Sequence, residues 1–217
     1  MTPERLREAL ERHPRLIHPP LPGRTNHLDS AVLIPLEWRP GPEKTGPVAI
    51  VTVRAAHLRH HAGEICFPGG RPEPGDADLR ATALREAEEE LGIVGARVVG
   101  ELSSIPLYTS DYRLHPFVAE IPPTDLTINE DEVALALRVP LGPILARPHI
   151  DAIPWQHDDL SGLSPTFELE DDHIMFGATA HAFYELLLVI APLLGYEPQP
   201  LKAGKLRWSD VLPDHLR

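Results

Sequence analysis

Cysteine occurs once in the 217 residues, at Cys66, so no disulfide can form within the chain, which suits a reducing compartment. Cations are scarce beside the acids, 20 Lys and Arg against 32 Asp and Glu, giving a formal charge of −12. That balance argues against a nucleic-acid partner, because phosphate backbones are held by massed Lys and Arg. It leaves room for a small anionic substrate, which a few local arginines or a bound metal can attract. Long apolar runs are missing too. The longest, residues 186–194, contains Pro192 and is far too short to span a bilayer. Met1-Thr2-Pro3-Glu4-Arg5 has no apolar stretch of the kind that leads a protein to secretion. The expectation is a cytoplasmic protein with no membrane partner.

What is present is enough apolar residue, 42%, for a real core, and many chain breakers, with 25 prolines and 15 glycines. Leu6 and Leu10 stand at helical spacing and predict a short amphipathic helix over 2–11. An extended connector with Pro14, Pro19, Pro20 and Pro22 follows. Residues 31–36 and 48–53 read as two neighbouring strands around a turn at 40–47. Residues 63–75 read as a Gly- and Pro-rich loop. The best-marked helix is 79–91, with Asp76 or Asp78 as N-cap and Gly92 as its stop. Strand-like segments lie near 97–103, 115–120 and 134–139, residues 148–165 read as loop, and a last helix covers 179–194. Strands arranged around one central helix predict an α+β fold.

Chemistry concentrates in the helix 79–91. Glu86, Glu89 and Glu90 stand at i, i+3 and i+4, so their carboxylates share a face, while Leu84, Ala87 and Leu91 fall on the other. A solvated acidic face is one reading. Against it, like charges at these spacings repel by ~0.2–0.5 kcal/mol per pair. They also crowd the last turns, where the helix dipole favours cations. A divalent cation would remove both costs, and hard oxygen donors suit Mg²⁺ or Mn²⁺. The preceding Gly69-Gly70 lets the backbone come close to a metal-phosphate ligand.

Gly70, Arg85, Glu86, Glu89, Glu90, Gly92 and Ile93 fall on the pattern Gly-x5-Glu-x7-Arg-Glu-U-x-Glu-Glu-x-Gly-U, with U a bulky apolar residue. The chain thereby resembles the Nudix hydrolases. It departs in two places: Asp76 stands for the first Glu, with eight residues between it and Arg85 instead of seven, and Ala87 is small for U. Upstream, Ile50-Val51-Thr52-Val53-Arg54-Ala55, then Arg59, Gly63 and Phe67-Pro68-Gly69-Gly70, is similar to the motif of the coenzyme A pyrophosphatase branch. Ala55 replaces Ser there, and Ile50-Val51 replaces Leu-Leu. Weaker similarity extends the resemblance over residues 30–190.

The resemblance implies a Nudix fold, an α/β/α sandwich whose mixed sheet lies between helices and carries a loop-helix-loop at the active site. It implies a single domain over 1–217, with an N-terminal helical extension (about 1–25) and a C-terminal tail (about 196–217). The activity implied is Mg²⁺-dependent (or Mn²⁺-dependent) pyrophosphate hydrolysis. Coenzyme A or a derivative would yield 4′-phosphopantetheine and adenosine 3′,5′-bisphosphate. Alternatives are another nucleoside diphosphate derivative, such as NADH or ADP-ribose, or a silent binding module, which the intact Arg85-Glu86 and Glu89-Glu90 pairs speak against. Metal ligands implied are Glu86, Glu89, Glu90 and the Gly69 carbonyl, with Arg85 orienting the acids and Gly70 lining the substrate. Arg54 and Arg59 are expected at substrate phosphate. Glu132, ahead of Val133, is the candidate for proton acceptor or further metal ligand. Asp76 reads as a helix cap or a metal contact. Cys66 reads as a small apolar filler, and His57, His60 and His61 lack the spacing of a structural zinc site.

Overall fold

The computed structural model describes residues 1–38, 46–59, 61–157 and 160–212. Most of the turn expected at 40–47, and His60, lie outside them. In chain order the first half holds α1 (Pro3–Arg12), β1 (Leu28–Glu37), β2 (Val48–Arg54), β3 (Ile65–Cys66), β4 (Gly69–Gly70), α2 (Leu79–Leu91), β5 (Arg97–Glu101), β6 (Ile105–Pro106) and β7 (Tyr112–Ile121). The second half holds β8 (Val133–Pro140), α3 (Leu141–Leu145), β9 (Ile150–His157), β10 (Leu160–Pro165), β11 (Phe167–Glu168), β12 (Ile174–Met175), α4 (Gly177–Leu193), β13 (Leu201–Ala203) and α5 (Trp208–Val211).

The central sheet is mixed. Its strand path is β3-β2-β1-β7-β5, with β4 on β1, β6 on β7 and β8 on β2. β1 and β7 run parallel from Leu28↔Tyr112 to Glu37↔Ile121, whereas β1 meets β2 and β4 antiparallel. Successive side chains of a strand face opposite ways, and β1 is buried from Ala31 to Glu37, so both of its faces are covered. Ala31 and Leu33 join Phe117, Ala119 and Ile121 beneath Ala83, Ala87 and Leu91 of α2. Val32, Ile34 and Leu36 join Leu6 and Leu10 of α1 and Phe183, Leu186 and Ile190 of α4. The layers are helix, sheet, helix, the α+β arrangement expected.

Two expectations are corrected. Within the expected loop 148–165, residues 150–157 and 160–165 are strand: β9 and β10 pair antiparallel, and β13 pairs with β9 in parallel. The many Pro, Gly and Asp residues of this stretch read as loop, but Pro154 lies beyond the Ile150–Ala152 stretch that pairs with β13, on an edge where its carbonyl accepts from the Trp208 indole and a missing N–H costs little. Residues 63–75 contain two short strands, β3 and β4, which extend the sheet to the helix-bearing loop.

Candidate active site

α2 begins at Asp78, whose carboxylate accepts the Ala81 N–H at 2.8 Å, and stops at Gly92, at φ 65 in the left-handed region that glycine enters without strain. Its core stripe fixes the rotation of the helix. With Ala83, Ala87 and Leu91 buried on the sheet, Glu90 comes down beside the core at 2% exposure and Glu86 is half-buried.

Gly70 explains how Glu86 fits. A Cβ there would run into the Glu86 carboxylate, and one at Gly69 would run into the Ala31 carbonyl and Val32. The close approach of the two glycines brings β4 against β1 and against the acidic face of α2.

Glu132, exposed just ahead of β8, completes the group. Ligand atoms of Glu86, Glu90 and Glu132 all lie within 4.8 Å of one another. Such crowding in a place with little water penalises charge. Burial first, then Glu132 and Glu86, push the Glu90 carboxyl up to about 8, against the opposing pull of the Gly69 amide and Arg54. Glu86 is raised too, chiefly by burial. Glu90 Oε2 is buried and has no hydrogen-bond partner among the described residues.

Arg85 is the organiser. Its Nε and Nη2 grip Asp76 at 3.1 Å each, Nη1 reaches Glu89 at 2.9 Å, and Nη2 also meets Glu86 Oε1 at 3.1 Å and the Arg71 carbonyl at 3.0 Å. This fork holds the Asp76 carboxyl well below the usual carboxylate range, helped by the Glu73 N–H and Thr82. Asp76 is thus neither the cap of α2 nor a member of the acidic trio. It anchors Arg85, a role its place in the signature could have signalled. Glu89 pairs with Arg85 at 2.9 Å and is not one of the three carboxylates that converge.

Arg54 ends β2 half-buried beside Cys66 and Glu90, and its buried Nε has no partner among the described residues. Cys66 bonds Thr52 Oγ1 at 3.0 Å, and burial pushes its thiol up to about 11, which keeps it protonated and inert as expected of a filler. Arg59 is exposed in the loop after β2, and no contact ties it to the trio among the described residues. His57 and His61 pair with the Asp131 carbonyl and Glu64 and do not converge on a metal site.

A family model of the NUDIX domain matches residues 39–156, more than half of the chain. The chain belongs to the NUDIX domain family. Two curated relatives, the uncharacterized Nudix hydrolases NudL of Escherichia coli O1:K1 / APEC and of Shigella boydii serotype 18, are each 41% identical over 136 residues. Those matches span 60% of this chain and 67% of each relative. Among solved structures, a MutT/nudix family protein from Enterococcus faecalis aligns with a TM-score of 0.51 at 14% identity, over 87% of this chain and 69% of that one. The last likeness is one of fold.

This Nudix hydrolase acts on phosphoric anhydride bonds. The family generally uses divalent metal ions such as Mg²⁺. The donor set fits one: three carboxylates converge, all hard oxygen donors, and the buried Glu90 Oε2 lacks a partner among the described residues. No helix among the described residues is long and apolar enough to cross a membrane.

Proposed function

We propose that this enzyme hydrolyses the pyrophosphate of coenzyme A or its acyl derivatives, releasing 4′-phosphopantetheine (or its acyl form) and adenosine 3′,5′-bisphosphate. Glu86, Glu90 and Glu132, with the Gly69 carbonyl, would hold Mg²⁺ or Mn²⁺. When bound, the ion supplies an activated water and neutralises charge on the phosphate oxygens. Arg85, clamped by Asp76, fixes Glu86 and Glu89 so that the acidic face does not splay under its own repulsion. Glu132 is the exposed member of the trio and makes no ion pair among the described residues, which suits it to take the proton of the attacking water. Arg54 and Arg59 meet the anionic substrate.

The observation that supports this reading is Arg54: a half-buried guanidinium beside the trio, with a buried Nε that has no hydrogen-bond partner among the described residues. A buried donor left unpaired costs stability unless a ligand completes it. The deciding experiment compares kcat/KM for coenzyme A, 3′-dephospho-coenzyme A and ADP-ribose in Mg²⁺. Coenzyme A should lead, and Arg59→Ala should narrow its lead over the 3′-dephospho form. Equal rates on the two, or a preference for ADP-ribose, would move the assignment to another nucleoside diphosphate derivative.

A further inference from the structure

The residue after Gly70 is neither a carboxylate donor nor part of α2, yet it has two fixed partners. The Arg71 carbonyl accepts from Arg85 Nη2 at 3.0 Å, so its backbone is tied to the arginine that organises Glu86 and Glu89. Its guanidinium stands over the Tyr112 ring, 4.8 Å from the centroid. Arg71 is exposed and enters no ion pair among the described residues. In a chain with 32 acids, a guanidinium held on an aromatic ring keeps its charge available to a ligand.

Tyr112, the first residue of β7, is supported from below. Asn26 is 3% exposed and sits at φ 42. Its Nδ2 donates to the carbonyls of Leu107 at 3.0 Å, Ser110 at 3.1 Å and Tyr112 at 3.0 Å, while its Oδ1 accepts the Leu21 N–H at 2.9 Å. Asp111 accepts the Thr25 N–H at 2.8 Å. Surface loops are ordinarily mobile. Here one buried amide binds both ends of the 107–112 segment, and the ring beneath Arg71 is held in place.

We propose that Arg71 and Tyr112 form the platform on which the base of a nucleoside diphosphate derivative stacks. The reading rests on the phosphoric anhydride chemistry above and names the side of the site that takes the nucleoside. Gly70 abuts the Glu86 carboxylate, and the Arg71 Cα is one peptide further on, about 3.8 Å. The platform therefore starts where the diphosphate site ends. Guanidinium and phenol faces stack any base, so they supply affinity with little base selectivity.

The test uses binding without turnover. Ligand-observed NMR would compare AMP with ribose 5-phosphate, which differ only in the base. The wild type should hold AMP at least about tenfold more tightly. In Arg71→Ala and Tyr112→Leu the preference should fall within about threefold, while Tyr112→Phe and the outward-facing Arg80→Ala keep it. Arg71 lies on an exposed loop, so its variant decides the matter even if Tyr112→Leu unfolds. A wild type without preference for AMP, or an Arg71→Ala protein that retains it, overturns the proposal. Because no hydrolysis is measured, that failure is separate from a failure of coenzyme A as substrate.

Discussion

Glu90 bears the largest electrostatic cost in the site. A carboxylate at 2% exposure, with one oxygen unpaired among the described residues and two acids alongside, is a group whose charged form the fold disfavours. Replacing it by Gln removes the charge and keeps the shape. Glu90→Gln should therefore lower kcat by at least ~10²-fold, the scale of losing a key electrostatic group. Its melting temperature in metal-free buffer should hold or rise. Steady-state kinetics across Mg²⁺ concentrations and calorimetry check the pair. A near-wild-type rate at saturating Mg²⁺ would remove Glu90 from the donor set. At this scale much was legible: the i, i+3, i+4 spacing named the acids. The resemblance added Glu132, which the pairing of β8 with β2 brings beside Glu86 and Glu90; that Glu89 pairs with Arg85 was not legible, because spacing alone gives the three acids of α2 equal standing.

The two glycines of β4 look alike in sequence, yet the elements beside them give them different work. Gly69 lies against the backbone of β1, and Gly70 against a carboxylate of α2. Gly69→Ala must push apart two paired strands, an overpacking cost of about 1–3 kcal/mol. Gly70→Ala can be relieved by moving the Glu86 side chain. The expected split is a lowered melting temperature for Gly69→Ala, and for Gly70→Ala a fold near wild type with weakened Mn²⁺ binding and activity. Calorimetry and titration with Mn²⁺ read the two. The same spoiled stability in both would mean that Gly70 serves only the sheet. α2 itself was readable to its ends, since Asp78 and Gly92 are local signals that act through the backbone they cap. The β9-β10 pair was not, because its Pro154 is tolerated only through an edge position that sequence does not reveal.

Across the molecule, the N-terminal helix is built onto the core. His13 meets Glu185 of α4 at 2.9 Å, and Glu185 also accepts the Ser103 N–H and hydroxyl, so α1 is latched to sheet and helix at once. Further along, His181 in α4 faces Ser164 of β10 at 3.2 Å. Burial, with the charge of His18 second, lowers His181 from 6.5 to about 4. The unfolded chain therefore takes up a proton at this histidine over a range where the native protein does not. Its contribution to stability is complete above 6.5, declines as pH falls towards about 4, and changes no further below. Melting curves across that window should decline more steeply for the wild type than for His181→Gln. Parallel curves would show that His181 is not the group responsible.

The sequence by itself determined the family and the helix that carries its signature, because these rest on short-range facts: helical spacing, caps, and glycines next to acids. Only the tertiary structure decided which carboxylates converge, that Asp76 anchors Arg85, and that Arg71 comes to rest on Tyr112. Each of those joins residues held by different elements. Their meeting depends on strand register and on which face of α2 the core buries, and no single stretch of chain encodes either.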